Sequence, residues 1–178
     1  MKRFLTPEAQ YLFSMQRGSW QDWFLRWLLH PSFFRVAPYS HVGVVLHTSS
    51  RAKVSVVRAN EGVTLVPYVS FFCTRPKSVI VGTGISSIRL ASAEALLLSM
   101  RDQPYDTWAL GGYLLRKFWS NAPSLRRPGH HNSFTVAATH LHQCLGEPPP
   151  PVNVHIDHPY ILNLLVRLGI NTETIENG

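Results

Sequence analysis

Val42–Leu46 is a continuous apolar run led by one ionisable side chain, His41. Such a run predicts a buried central strand. Val54–Ala59 and Val63–Val66 read as two more strands, linked by the polar stretch Thr48–Lys53 and by Asn60-Glu-Gly62, a tight turn whose glycine can take a positive φ. The three predict an antiparallel meander. Pro67 ends it, Val69–Phe72 fits one helical turn, and Ser78–Val81 fits a fourth strand. Helical spacing then takes over in Ser86–Met100, Trp108–Trp119, Ser133–Leu145 and Pro159–Leu168. Gly111-Gly112 lies inside the second of these helices. Gly146 and Gly169 stop the last two, and Asp157 caps the final one. Near the start, Thr6, Pro7 and Glu8 signal a short helix over 7–16, broken by Arg17-Gly-Ser19. Trp20–Leu29 has helical spacing, but aromatics also suit strands, and the pattern leaves both open until Pro31 ends the segment. Strands lead and helices follow, so the class is α+β, an antiparallel sheet packed against helices.

Composition narrows the function classes. Apolar residues make up 45% and charged residues 15% of 178, enough for a real core. One domain over 1–147 is expected, followed by a Pro148–Pro151 linker and a C-terminal helix (148–178) packed on it. The formal charge is +7, but the basic residues are scattered, densest at Arg116-Lys117 and Arg126-Arg127. No basic run is interleaved with aromatics, which argues against nucleic acid as the main partner. Cys73 and Cys144 form no disulfide framework and no CxxC motif, and suit a reducing compartment. The first residues are not those of a signal peptide. Trp20–Phe34 is broken by Asp22, Arg26, His30 and Pro31, so it makes no transmembrane segment.

The nine histidines suggest no metal. His130-His131 are adjacent, His140 and His142 face different sides of a helix, and His155 and His158 flank Asp157. None has the i, i+4 spacing of a helical zinc pair. They are expected to face solvent or to cap helices. No cofactor is expected either.

His41 and Ser133 are the residues with candidate chemistry. His41 opens a strand, and Ser133 follows Asn132 at a helix start, where free N–H groups and a partial positive charge gather. A cysteine there would have a lowered pKa, and a nearby His would lower it further. A serine hydroxyl would depend on the His as general base. Local pattern alone also fits a structural histidine and a capping serine.

Several short motifs come in a fixed order: Arg17-Gly-Ser19, Ser40-His-Val-Gly-Val44, Val56-Val-Arg-Ala59, Glu61-Gly-Val63, Val66-Pro-Tyr-Val-Ser-Phe-Phe72, Pro104-Tyr-Asp106 and Asn132-Ser-Phe-Thr-Val-Ala137. The set resembles the circularly permuted NlpC/P60 (papain-like) superfamily, in which the His strand precedes the Cys helix. The poxvirus branch is the most similar, with its Arg-Gly-Ser start, His-Val-Gly-Ile strand and Tyr-Cys helix start. The resemblance covers about residues 16–146. It implies a papain-like fold, His41 as the catalytic base and Ser133 at the nucleophile position. Arg58 falls where members often carry the acidic or polar residue that orients the His. Tyr105 falls in the loop beside the site.

Two positions depart from the pattern. Ser133 replaces a thiol with a hydroxyl, and Arg58 replaces an acceptor with a cation, which would disfavour the imidazolium. Cys144, three turns along the helix at about 16 Å, does not rescue the site. The resemblance therefore implies a catalytically degenerate viral protein of the host cytoplasm or the virion. Its site would serve binding or host interaction, with a viral or host protein among its partners. The alternative is an active hydrolase or acyltransferase on amide, ester or acyl substrates, with Asn132 or backbone N–H groups as oxyanion donors. A groove formed by Ser40, Tyr105, Trp20 and Trp23 would suit a peptide, acyl or lipid ligand.

Overall fold

A computed structural model describes residues 9–15, 19–30, 32, 34–47, 52–58, 60–74, 77–82, 87–170 and 172. The start signals Thr6–Glu8, the break at Arg17-Gly18, Pro31 and most of the Thr48–Lys53 turn lie outside these, as does the side chain of Cys73. The elements in order are β1 (Gln10–Met15), α1 (Trp20–Leu29), β2 (His41–His47), β3 (Ala52–Arg58), β4 (Gly62–Pro67), α2 (Tyr68–Thr74) and β5 (Lys77–Gly82). Then come α3 (Ser87–Ser99), α4 (Thr107–Phe118), α5 (Ser133–Leu145) and α6 (His158–Arg167).

The sheet has five antiparallel strands in the order β4-β3-β2-β1-β5. The meander β2-β3-β4 is as the apolar pattern predicts. The expected helix over 7–16 is instead strand β1, inserted between β2 and β5. All six of its residues are buried. Pairing on both edges satisfies its backbone groups, and this long-range gain overrides a weak local helix preference.

Side chains of β1 alternate between two cores. Tyr11 and Phe13 join Val42, Val44 and Leu46 under the helices. Leu12 joins Val45, Val54, Val56 and Phe71 on the other face, where α2 lies. The undecided segment Trp20–Leu29 is helical, capped by Ser19, whose hydroxyl accepts the N–H of Asp22. Helix α4 tolerates Gly111-Gly112 for a packing reason. A Cβ at Gly112 would stand 2.9 Å from the backbone nitrogen of Leu125.

Helix α5 is the centre of the helical layer. It packs on β2, α3 and α6, and eleven of its thirteen residues are buried. Helix α6 contributes Ile161, Leu164 and Leu165 to the same core. This placement corrects the expectation for the histidines. His140, His142 and His158 are buried, not solvent-facing. An element at the centre of a layer buries its polar positions too, and each then finds a neighbour. His140 is hydrogen-bonded to the Tyr11 hydroxyl at 2.6 Å and His142 to that of Tyr160 at 2.8 Å. His158 lies against Phe13 and Tyr39. No helix among the described residues is long and apolar enough to cross a membrane.

Candidate functional site

The sheet and α5 bring the two candidate residues together. His41 at the start of β2 and Ser133 at the start of α5 line one narrow cleft of about 20 Å³. Ser40, Tyr105 and Asn132 line it too, so five of the eight expected site residues share one site. Most of the remaining wall is apolar, from Leu25, Leu29, Val57, Leu110 and Phe134.

Local chemistry fixes Ser133. The cap of α5 is Asn132, not Ser133. Asn132 Oδ1 accepts the N–H of Thr135 at 2.9 Å, and Thr135 Oγ1 accepts the N–H of Asn132 at 2.8 Å. This capping box leaves the Ser133 hydroxyl out of the cap, on the first helical residue and 7% exposed. The N–H groups of Ser133 and Phe134 have no acceptor within the helix and gather positive potential beside that hydroxyl. The Asn132 amide nitrogen donates to the Tyr113 hydroxyl at 3.4 Å, and Tyr113 in turn donates to the carbonyl of Ile156. Burial pushes the Tyr113 phenol far up, so it stays neutral and serves as a strut.

Sequence reasoning missed the supports. Ser40 donates to Asp22, which is 4% exposed and paired with Arg26 at 3.0 Å. A buried carboxylate thus braces the residue next to His41. The signal for it is the i, i+4 spacing of Asp22 and Arg26. The loop bearing Tyr105 is laced to the approach of α5. His131 N–H donates to the Pro104 carbonyl at 2.9 Å, Asp106 N–H donates to the His131 carbonyl at 3.0 Å, and the His131 ring meets Gln103 Oε1 at 2.6 Å. Burial first, and then Arg126, push the His131 pKa down, which keeps the ring neutral near Ser133. Burial also raises the Tyr105 phenol.

The other three expected residues lie elsewhere. Arg58 is half-exposed and paired with Glu61 at 2.7 Å, while its neighbour Val57 lines the cleft. Successive side chains on a strand point to opposite faces, so only one of the two can reach the site. Backbone pairing between β2 and β3 covers Val45–His47 and does not extend to His41 and Arg58. Trp20 and Trp23 are 72% and 52% exposed and do not line the cleft, because α1 turns Leu25 and Leu29 towards it. Cys144 is buried, and that burial pushes its thiol up to about 11. It is no rival nucleophile.

No group of three or more His, Cys, Asp or Glu side chains placed to hold a metal occurs among the described residues. No family model matches the chain, and no curated protein matches it. Among solved structures, the metalloprotein yiiX of Escherichia coli O157:H7, a DUF1105 protein, has a similar fold. The TM-score is 0.50 at 16% identity, covering 88% of this chain and 91% of that one. Likeness at that identity concerns the fold alone.

Proposed function

We propose that this chain is a papain-like domain of the permuted NlpC/P60 type whose His41–Ser133 site binds a ligand and has given up thiol chemistry. The observation that carries this reading is the meeting of His41 and Ser133, far apart in sequence, in one cleft at a helix N-terminus. A hydroxyl stands there where the thiolate would. A serine at such a position cannot ionise as a cysteine does, so the helix potential adds little to its nucleophilicity. The cleft as it stands has room for about one water, so an acyl chain or an apolar peptide side chain would enter as its apolar walls part, with the Ser133 and Phe134 N–H groups facing the ligand's polar end. The poxvirus likeness of the ordered motifs makes a viral protein acting in the host cytoplasm or the virion the natural setting, and a host or viral protein a fitting source of the peptide.

Those same N–H groups favour a second reading. They would serve as oxyanion donors for an acyl transfer from Ser133 with His41 as base.

The test combines two measurements. In Ser133→Cys protein, iodoacetamide labelling against pH should give a thiol pKa below the ordinary value of about 8.5, and His41→Ala should raise it. A pKa indifferent to His41 would mean that the two residues are not a pair. Wild-type protein and His41→Ala should hydrolyse p-nitrophenyl acyl esters equally slowly. Turnover by the wild type that His41→Ala abolishes would replace the binding reading with the hydrolase one.

A further inference from the structure

All five tryptophans of the chain lie on α1, on α4 or at the end of α4. Four of them are exposed: Trp20 at 72%, Trp23 at 52%, Trp108 at 51% and Trp119 at 60%. Tryptophan is highly buried on average, so four at half exposure or more on one helix pair need a cause. Leu115 and Phe118 of α4 and Phe24 of α1 are exposed with them. The two helices pack together, and their apolar faces are linked. The Phe24 ring packs on Trp27 at 5.7 Å, and Lys117 Nζ lies 4.7 Å above the Trp27 ring, beside Phe118. Both helices thus carry an apolar outer face besides the inner one of Leu28, Leu29, Ala109 and Tyr113, while the charged Asp22 and Lys117 are buried.

We propose that this aromatic face docks on the surface of an anionic phospholipid bilayer. Charge selects the occupant. The chain has no Asp or Glu between Trp23 and Asn60, and none between Thr107 and Gly146. The acid of α1, Asp22, is buried against Arg26. Arg35, five residues past the α1 cap His30, and Arg127 are exposed, and Arg127 stacks over Trp108 at 4.5 Å. Exposed Trp and Phe with an arginine stacked among them and no exposed acid on either helix is the composition of an interfacial helix pair. Nucleic acid fits less well, because Lys117 is committed to the carbonyls of His30 and Ser32, and Arg116 to Asp157. Neither helix is long enough to span, so the chain would lie on the bilayer. Helices α1 and α4 also wall the cleft, so docking would bring its rim close to the lipid. The inference stands whatever the cleft binds.

The test is flotation of the full chain with vesicles of phosphatidylcholine, alone or with about a third phosphatidylserine. Tryptophan fluorescence is read in parallel, because every tryptophan is on the two helices. Binding to the serine-containing vesicles with a blue shift is expected. Trp20→Ser with Trp108→Ser should weaken partition by about tenfold or more, and Arg35→Glu with Arg127→Glu should remove the preference for anionic lipid. Leu98→Ser with Val166→Ser, exposed apolar positions on α3 and α6, should leave binding unchanged. Circular dichroism should be the same for all four proteins. The proposal is overturned by no flotation at low salt, or by flotation indifferent to the tryptophan changes. It is overturned equally if those changes abolish self-association or retention on RNA while vesicles stay unbound.

Discussion

Gly62→Ala should destabilise this protein more than alanine at Gly129, Gly146 or Gly169, the other described glycines of positive φ. Gly62 opens β4 at φ +69°, in the left-handed region. A Cβ there would overlap the carbonyl oxygen of Gln103 and stand 2.8 Å from its carbonyl carbon. The clash is with backbone, so no side-chain rotation relieves it. Holding alanine in the left-handed region costs roughly 1–2 kcal/mol. Backing the Gln103 segment away would strain two hydrogen bonds, Val63 N–H to the Gln103 carbonyl at 3.0 Å and Asp102 N–H to the Val63 carbonyl at 2.9 Å. Those are worth roughly 1 kcal/mol each. The expected total is about 3–4 kcal/mol, a large part of the roughly 5–15 kcal/mol that holds a domain folded.

Gly129→Ala is the matched control. Its φ is +70°, but nothing lies within 4 Å of the added carbon. It should show the dihedral cost alone, about 1–2 kcal/mol. Urea unfolding followed by far-ultraviolet circular dichroism separates the two. Equal losses at both positions would refute the close-approach argument. The consequence reaches the site as well, because the Gln103 segment carries Tyr105 into the cleft wall.

Tyr113→Phe should cost about 1–3 kcal/mol in the same unfolding measurement, since it strips the partner from the buried Ile156 carbonyl and from the Asn132 amide. Arg58→Ala should cost under about 1 kcal/mol, as expected of an exposed pair, and should not move the thiol pKa of Ser133→Cys protein; a clear shift there would bring Arg58 back beside His41. Acid should destabilise the fold through His140, whose pKa burial pushes down to about 4. The unfolded chain takes up that proton first, so stability falls as the pH drops from the ordinary histidine value towards 4 and the loss is complete below it, amounting to about 3 kcal/mol. Unfolding midpoints at neutral pH and near pH 4 check this, and His140→Gln should reduce the difference by that amount, leaving the part due to His158, which burial also pushes down to about 4.

Elements whose signal is local could be read from the chain alone. A continuous apolar run specifies a buried strand wherever it lies, which is why β2, β3 and β4 were legible. Asp157 and Gly146 act on the backbone within one turn, so the ends of α5 and α6 were legible too. The shared cleft of His41 and Ser133 was suggested by the order of the short motifs, since local pattern alone fits a structural histidine and a capping serine as well. What only tertiary structure decided depends on neighbours from elsewhere in the chain. β1 is a strand because β2 and β5 offer it two edges. Arg58 is turned away and Val57 turned in by the pleat of a strand, whose phase the family likeness could not fix. Trp20 and Trp23 face outward because Leu25 and Leu29 take the inner side of α1, and helical spacing alone does not say which side is in. Asp22, Tyr113 and the lacing of His131 to Pro104 hold the cleft through contacts between distant segments, and no local pattern encodes such contacts.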